Sequence, residues 1–342
     1  MLTNLPVTSS DSSVPLTPIR VGLVGTGYAA KLRAGALQAD PRAHLLVIAG
    51  YTSQKTAAFS QTYGAETAST WTDLIARSDI DLVIISTINR DHGPIVRAAL
   101  QAGKHVVVEY PLDLDLNLAE ESLTLAKSRQ RLLHVEHIEL LGGLHQAMQK
   151  HLPRIGVPGY VRYSTLNPQH PAPRKWSYQA ELFGFPLMGA LSRIHRLTNL
   201  FGEVATVACQ NRYDTDAIAP LSAGFHNAFL CTAQFRFKSG LVAEVTYGKG
   251  DKLWRQMRRM EVHGGQGGLI IDGDQGTLIL SEGSQPIEVG TRRGLFAKDM
   301  TMVLDHLLEG CPLYVTPAES LYALKVADAA RRSAETGQVI RV

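Results

Sequence analysis

The stretch Ile19-Arg20-Val21-Gly22-Leu23-Val24-Gly25-Thr26-Gly27-Tyr28-Ala29-Ala30 decides the fold. A short apolar strand runs straight into G-x-G-x-x-A, and a helix pattern follows over residues 29–38. Gly25 permits a tight turn, Gly27 lets backbone approach an anion, and the small Ala30 lets the helix pack close to the strand. The free N–H groups at the head of that helix suit a pyrophosphate. Taken alone the motif fits a structural glycine turn equally well; its place between strand and helix favours a dinucleotide site.

Working outward, apolar runs at 45–49, 82–86, 105–108 and 132–135 alternate with helix patterns at 56–63, 71–76, 94–102 and 116–129. Continuous apolar strands between helices predict a parallel sheet covered on both faces, an α/β Rossmann domain over 19–140. After residue 140 the texture changes. Alternating segments at 160–166, 229–237, 241–248, 260–264 and 276–280 predict an α+β domain over 141–342 with a large, mostly antiparallel open sheet. Helices are predicted at 187–200, 298–309 and 317–335, the last able to pack back on the Rossmann domain. Residues 1–18, rich in Ser, Thr and Pro, predict a disordered tail without signal-peptide or transit-peptide character.

The charge balance, 34 Lys and Arg against 31 Asp and Glu, argues against a nucleic-acid partner. No apolar window approaches the ~18 residues of a membrane span. Cys209, Cys231 and Cys311 show neither metal-ligand spacing nor a disulfide framework, which fits a cytoplasmic location. The charge is unevenly spread. Residues 1–150 hold 13 basic and 14 acidic side chains, residues 151–342 hold 21 and 17. Between 160 and 200, Arg162, Arg174, Lys175, Arg193 and Arg196 face only Glu181, a surface suited to a small anionic ligand.

The second strand ends in Ala49-Gly50-Tyr51-Thr52-Ser53-Gln54-Lys55, without the carboxylate that binds the ribose hydroxyls of NAD. The Ser53 hydroxyl and Lys55 ammonium suit a 2′-phosphate, so NADPH is expected, with NADH weaker. The structural alternative makes Ser53 a helix cap and Lys55 a solvated side chain. The expected cofactor contacts are Gly25, Thr26, Gly27, Tyr28, Ala29, Ser53, Lys55, Thr87, Asn89, His92 and Glu109. His92, Glu109, His137 and Glu139 lack the local spacing of a metal site, and no metal is expected.

Thr87-Ile88-Asn89-Arg90-Asp91-His92 and Glu109-Tyr110-Pro111 resemble signatures of the glucose-fructose oxidoreductase and inositol dehydrogenase family. That resemblance implies a Rossmann domain followed by an open, mostly antiparallel sheet. Two departures stand out: the lysine of the family's sugar dehydrogenases is Tyr110 here, and their second-domain Asp and His fall near Met188 and Ser192. Several further blocks are similar to the biliverdin reductase branch, cyanobacterial type. They are Glu109-Tyr110-Pro111-Leu112, 133–141, Arg162-Tyr163-Ser164-Thr165, 171–176, 183–193, Tyr247-Gly248-Lys249-Gly250 and 292–296.

This second resemblance implies reduction of biliverdin IXα to bilirubin IXα, with hydride reaching the central methine carbon and a proton reaching a pyrrole nitrogen. It implies substrate contacts at Tyr110, His137, Arg174, Arg193 and Arg196. Arg193 is the first candidate for a catalytic residue; its guanidinium stays charged, which suits charge stabilisation better than acid catalysis. Tyr110, with an ordinary pKa near 10, suits hydrogen-bond donation. A sugar or polyol oxidoreductase, and a non-catalytic nucleotide or bilin sensor, stay open as alternatives. Oligomeric state is not legible.

Overall fold

In the computed structural model, residues 17–215 and 224–342 are described; the part of the expected tail at 1–16 lies outside the described residues. β1 (Ile19–Val24), β2 (Ala43–Ala49), β3 (Glu66–Thr67), β4 (Leu82–Ile85), β5 (His105–Val108) and β6 (Leu133–Val135) form one parallel sheet in the order β3-β2-β1-β4-β5-β6. Its crossovers are α1 (Tyr28–Ala39), α2 (Ser53–Tyr63), α3 (Trp71–Ala76), α4 (Asn89–Gln101) and α5 (Leu116–Arg129). Alternate residues serve opposite faces. Val21, Leu23, Leu82, Ile84 and Val107 pack under Ala30, Ala34 and Leu37 of α1, whereas Val24, Val83, Ile85, Val106 and Val108 pack against α3, α4 and α5.

The chain then runs through α6 (Gly143–His151), β7 (Pro158–Pro168), α7 (Ala180–Phe183), α8 (Pro186–Gly189), α9 (Ser192–Phe201), β8 (Val204–Asp214), β9 (Ala228–Phe237) and β10 (Val242–Gly250). It closes with β11 (Met257–Gly264), β12 (Gly267–Asp272), β13 (Gln275–Leu280), β14 (Gly283–Ile287), α10 (Leu295–Glu309), α11 (Pro317–Thr336) and β15 (Ile340–Arg341). The nine-stranded sheet has the order β14-β13-β12-β11-β7-β10-β9-β8-β15, antiparallel throughout except for the parallel β7–β10 pair. One face buries Val161, Tyr163, Phe229, Phe235, Val245 and Tyr247 with residues of α9 and α11. The other is wet and charge-paired: Arg162 lies 3.1 Å from Glu244 and 3.6 Å from Glu261, which also takes Arg259 at 3.1 Å.

Three details differ from the sequence expectation. The single helix over 187–200 is two, α8 and α9, because Ala190 leaves the helical region (φ −121°, ψ 40°). α4 begins at Asn89, ahead of Pro94, so Asn89 and His92 occupy its first turns. β8 escapes a period-two reading because a bulge between Val204 and Thr206 shifts its register.

α10 reaches back across the molecule. Its Met300, Val303 and Leu304 complete the apolar face that α1 covers on the parallel sheet. Between the two helices the buried guanidinium of Arg33 meets the buried carboxylate of Asp299, and Arg33 Nε also donates to Glu109 at 3.0 Å. Breaking a buried pair strands the surviving charge, so Asp299→Leu should lower unfolding free energy by about 3–5 kcal/mol in urea denaturation.

Candidate active site

Gly25 adopts φ +126°, and its N–H donates to the Ala49 carbonyl at 2.8 Å. A Cβ there would stand 2.2 Å from the Ser86 carbonyl oxygen, so only glycine fits between the ends of β1 and β4. Gly27 is the N-cap of α1; a Cβ at that point would meet nothing within 4 Å, and the helix's first turn has no acidic side chain. Open space before a bare helix start fits a pyrophosphate. Thr26 packs its methyl over Gly50, while Tyr28 stands exposed with Phe296 edge-on at 6.5 Å. Ser53 is not the cap of α2: Thr52 holds that position without a side-chain cap bond, leaving Ser53 and Lys55 exposed in the first turn. The residues present therefore fit a dinucleotide carrying a 2′-phosphate.

Three further expected cofactor contacts, Asn89, His92 and Glu109, bond to other parts of the protein. Asn89 is buried and donates to the Phe183 carbonyl at 2.8 Å, joining the two sheets' domains. His92 is buried with Nδ1 2.8 Å from the Pro111 carbonyl and Nε2 3.4 Å from the Thr87 carbonyl. Burial lowers its pKa, so a neutral ring donates across the shorter contact and holds the cis Tyr110–Pro111 turn. Glu109 accepts from Arg33 and, at 3.4 Å, from Ser86. Glu136 lies against it, and burial together with the Glu109 charge pushes the Glu136 carboxyl well above the ordinary carboxylate range.

Tyr110 and Arg193, far apart in sequence, come within electrostatic reach of each other. The Tyr110 ring stacks on His137 at 5.3 Å and 10°, and His195 stands edge-on to His137 at 4.0 Å. His137 Nε2 lies 2.9 Å from the Ser320 hydroxyl, and its backbone N–H donates to the Tyr314 hydroxyl at 3.0 Å. His137 is thus buried beneath Tyr110, and its expected substrate contact is corrected to support of that ring. Burial and His195 hold His137 neutral. Desolvation, then Glu136, push the Tyr110 phenol upward against the pull of Arg193, with the Ser192 hydroxyl beside it. Tyr110 therefore stays a protonated donor.

Arg193 lies in the first turn of α9 with its guanidinium 4.2 Å above the Tyr247 ring; its Nε is buried without a hydrogen-bond partner. Arg196, one turn on, is buried and donates to the Glu139 carboxylate at 3.0 Å, so it is an internal ion pair and not the expected substrate contact. Arg258, at 3.2 Å, and Arg292 share the same carboxylate. Burial opposes ionisation there, yet the three arginines hold Glu139 below its usual range. Arg174 is exposed on the loop after β7. Sequence reasoning missed Arg33, Glu136, Tyr247 and Asp299. Arg33 and Asp299 were detectable as charges on the apolar stripes Ala30-Arg33-Ala34-Leu37 and Leu295-Asp299-Met300-Val303.

Residues 19–137 match an oxidoreductase family with an NAD-binding Rossmann fold, and residues 153–342 match its C-terminal alpha/beta domain. The chain belongs to the GFO/IDH/MocA oxidoreductase family. Among its relatives, it is similar to a crystal structure of biliverdin reductase in complex with biliverdin and NADP+ from Synechocystis sp. PCC 6803. The identity is 48% and the TM-score 0.90, covering 93% of this chain and 100% of that one. Biliverdin reductase A of Homo sapiens is 31% identical over 246 residues, 66% of this chain and 78% of that protein. The Mus musculus protein is 30% identical over 198 residues, 58% of this chain and 63% of its own length.

The buried carboxyl pair gives this oxidoreductase a pH signature. Glu136 is held protonated, so its contribution to stability is full below the ordinary value of 4.5 and is lost as pH rises through the higher folded value. Glu136→Gln removes that titration. Its thermal midpoint should fall less than the wild type's as pH is raised from mildly acidic to alkaline; parallel curves would count against a protonated Glu136.

Proposed function

We propose that this chain reduces biliverdin IXα to bilirubin IXα with NADPH. The observation that carries the reading is the electrostatic pairing of a neutral donor, Tyr110, with Arg193, a cation that forms no ion pair among the described residues. The 48% identity to the Synechocystis biliverdin reductase over 93% of the chain supports it. When bound, NADPH supplies the hydride. Gly25, Thr26, Gly27, Tyr28 and Ala29 hold the dinucleotide at the start of α1, and Ser53 and Lys55 hold its 2′-phosphate.

Overall one hydride and one proton are added: the central methine carbon gains the hydride, and a pyrrole nitrogen gains the proton. Electron density moves onto the pyrrole system as the carbon is attacked, and a fixed positive charge stabilises it. Arg193 provides that charge and hydrogen bonds to the tetrapyrrole; Tyr110 donates a second hydrogen bond. On this reading the exposed Arg174 pairs with a propionate. A polyol dehydrogenase would need a proton acceptor beside the alcohol; the raised pKa of Tyr110 and the serine at 192 supply none. The free thiols of Cys209, Cys231 and Cys311 support a cytoplasmic setting. No helix among the described residues is long and apolar enough to cross a membrane.

Mixing the purified protein with biliverdin and NADPH should convert green pigment to yellow; no conversion between mildly acidic and neutral pH would overturn the reading. NADPH binding without consumption would instead select a sensor, and turnover of polyols alone a sugar oxidoreductase. Arg193→Ala should lower kcat about 100-fold while leaving NADPH affinity unchanged. Tyr110→Phe should cost roughly 10-fold, measured in the same assay. Lys55→Ala should raise KM for NADPH about 10-fold and leave that for NADH unaltered, since only the former carries the 2′-phosphate.

A further inference from the structure

The arginines around the cleft are compensated in two different ways. Arg33 has Asp299 and Glu109, and Arg196, Arg258 and Arg292 converge on Glu139. Arg193 has no carboxylate partner among the described residues. Its guanidinium carbon lies 4.2 Å from the centroid of the Tyr247 ring, and its buried Nε makes no hydrogen bond. A cation over an aromatic face is attracted by the ring quadrupole. Such a seat fixes the guanidinium without neutralising it and without occupying its five donors, whereas a carboxylate would do both.

The ring that forms the seat is itself held. Tyr247 is buried on β10 in register with Cys231 of β9 and Thr165 of β7. Phe229 stands edge-on to it at 5.1 Å and 67°, and Phe229 in turn stacks on Phe183 at 6.3 Å. The Phe183 carbonyl accepts the Asn89 amide from the first turn of α4, on the cofactor side of the cleft. A run of aromatic contacts thus connects the Rossmann domain to the underside of Arg193.

We propose that Tyr247 is a positioning residue for the reduction: its ring face seats the Arg193 guanidinium, keeping the charge whole and its donors available to the bilin. The proposal rests on the reading that Arg193 stabilises charge during hydride addition. Tyr247→Leu should lower kcat about 10-fold and Tyr247→Phe, which keeps the ring face, less than about 3-fold, with NADPH affinity unchanged in both. In an Arg193→Ala background Tyr247→Leu should change kcat less than about 2-fold, because its effect passes through the missing guanidinium. Equal losses in both backgrounds, or a Phe variant as impaired as the Leu variant, would overturn it.

A measurement independent of turnover completes the test. The Arg193 Nε–H resonance, assigned with Arg193→Lys, should be ring-current shifted and protected from exchange in wild type and Tyr247→Phe. An unshifted, rapidly exchanging wild-type signal would overturn the seat even if Tyr247→Leu does not fold. If wild type leaves biliverdin unreduced, the functional reading fails, while the resonance still decides whether Tyr247 holds Arg193.

Discussion

A guanidinium with no access to water organises the centre of this protein. Arg33 sits between α1 and α10, bound by Asp299 and Glu109. Taking such an ion out of water is costly unless its partners are well placed, so the geometry around it is tightly specified. Asp299 also accepts from the Tyr314 hydroxyl at 2.8 Å and lies 2.8 Å from His134 Nε2. Tyr314 receives the backbone N–H of His137, and His137 carries the ring of Tyr110. The attitude of the Tyr110 phenol can be followed contact by contact down to one buried ion pair.

The cleft combines two electrostatic solutions that suit different tasks. Arginines that hold the architecture are neutralised by carboxylates; the arginine assigned to chemistry rests on an aromatic face. Tyr110, Tyr163 and Tyr247 lie within its electrostatic reach, with the Glu139 carboxylate a weaker influence. A site of this kind stabilises developing negative charge and offers hydrogen bonds, and the Tyr110 phenol, held protonated, is no proton acceptor for an alcohol. That distinction separates reduction of a conjugated pigment from the alcohol chemistry associated with lysine at the position of Tyr110.

The parallel sheet was legible because its strands are continuous apolar runs, buried on both faces, and because Gly25 and Gly27 mark the first crossover. The pair proposed for catalysis was singled out through departures from a family pattern at Tyr110 and Ser192-Arg193. Where reading failed, the physics was non-local. Whether Asn89 faces a cofactor or the Phe183 carbonyl depends on a contact 94 residues away. His137 and Arg196 carry the right chemistry for a ligand, but each is turned inward by a partner from another element, Ser320 or Glu139. Tyr247 stood in sequence only as part of a block of resemblance; the cation that α9 sets over its ring is visible only in the fold.

The reach of α10 onto the first domain also has a temporal side. Arg33 leaves the ribosome 266 residues before Asp299. At translation speeds of roughly 5–20 residues per second, that interval lasts on the order of tens of seconds. Throughout it the nascent Rossmann half carries an incompletely paired guanidinium and an apolar face lacking Met300, Val303 and Leu304. The Rossmann half is therefore completed only once α10 has been made, and until then the face that Met300, Val303 and Leu304 cover stays open.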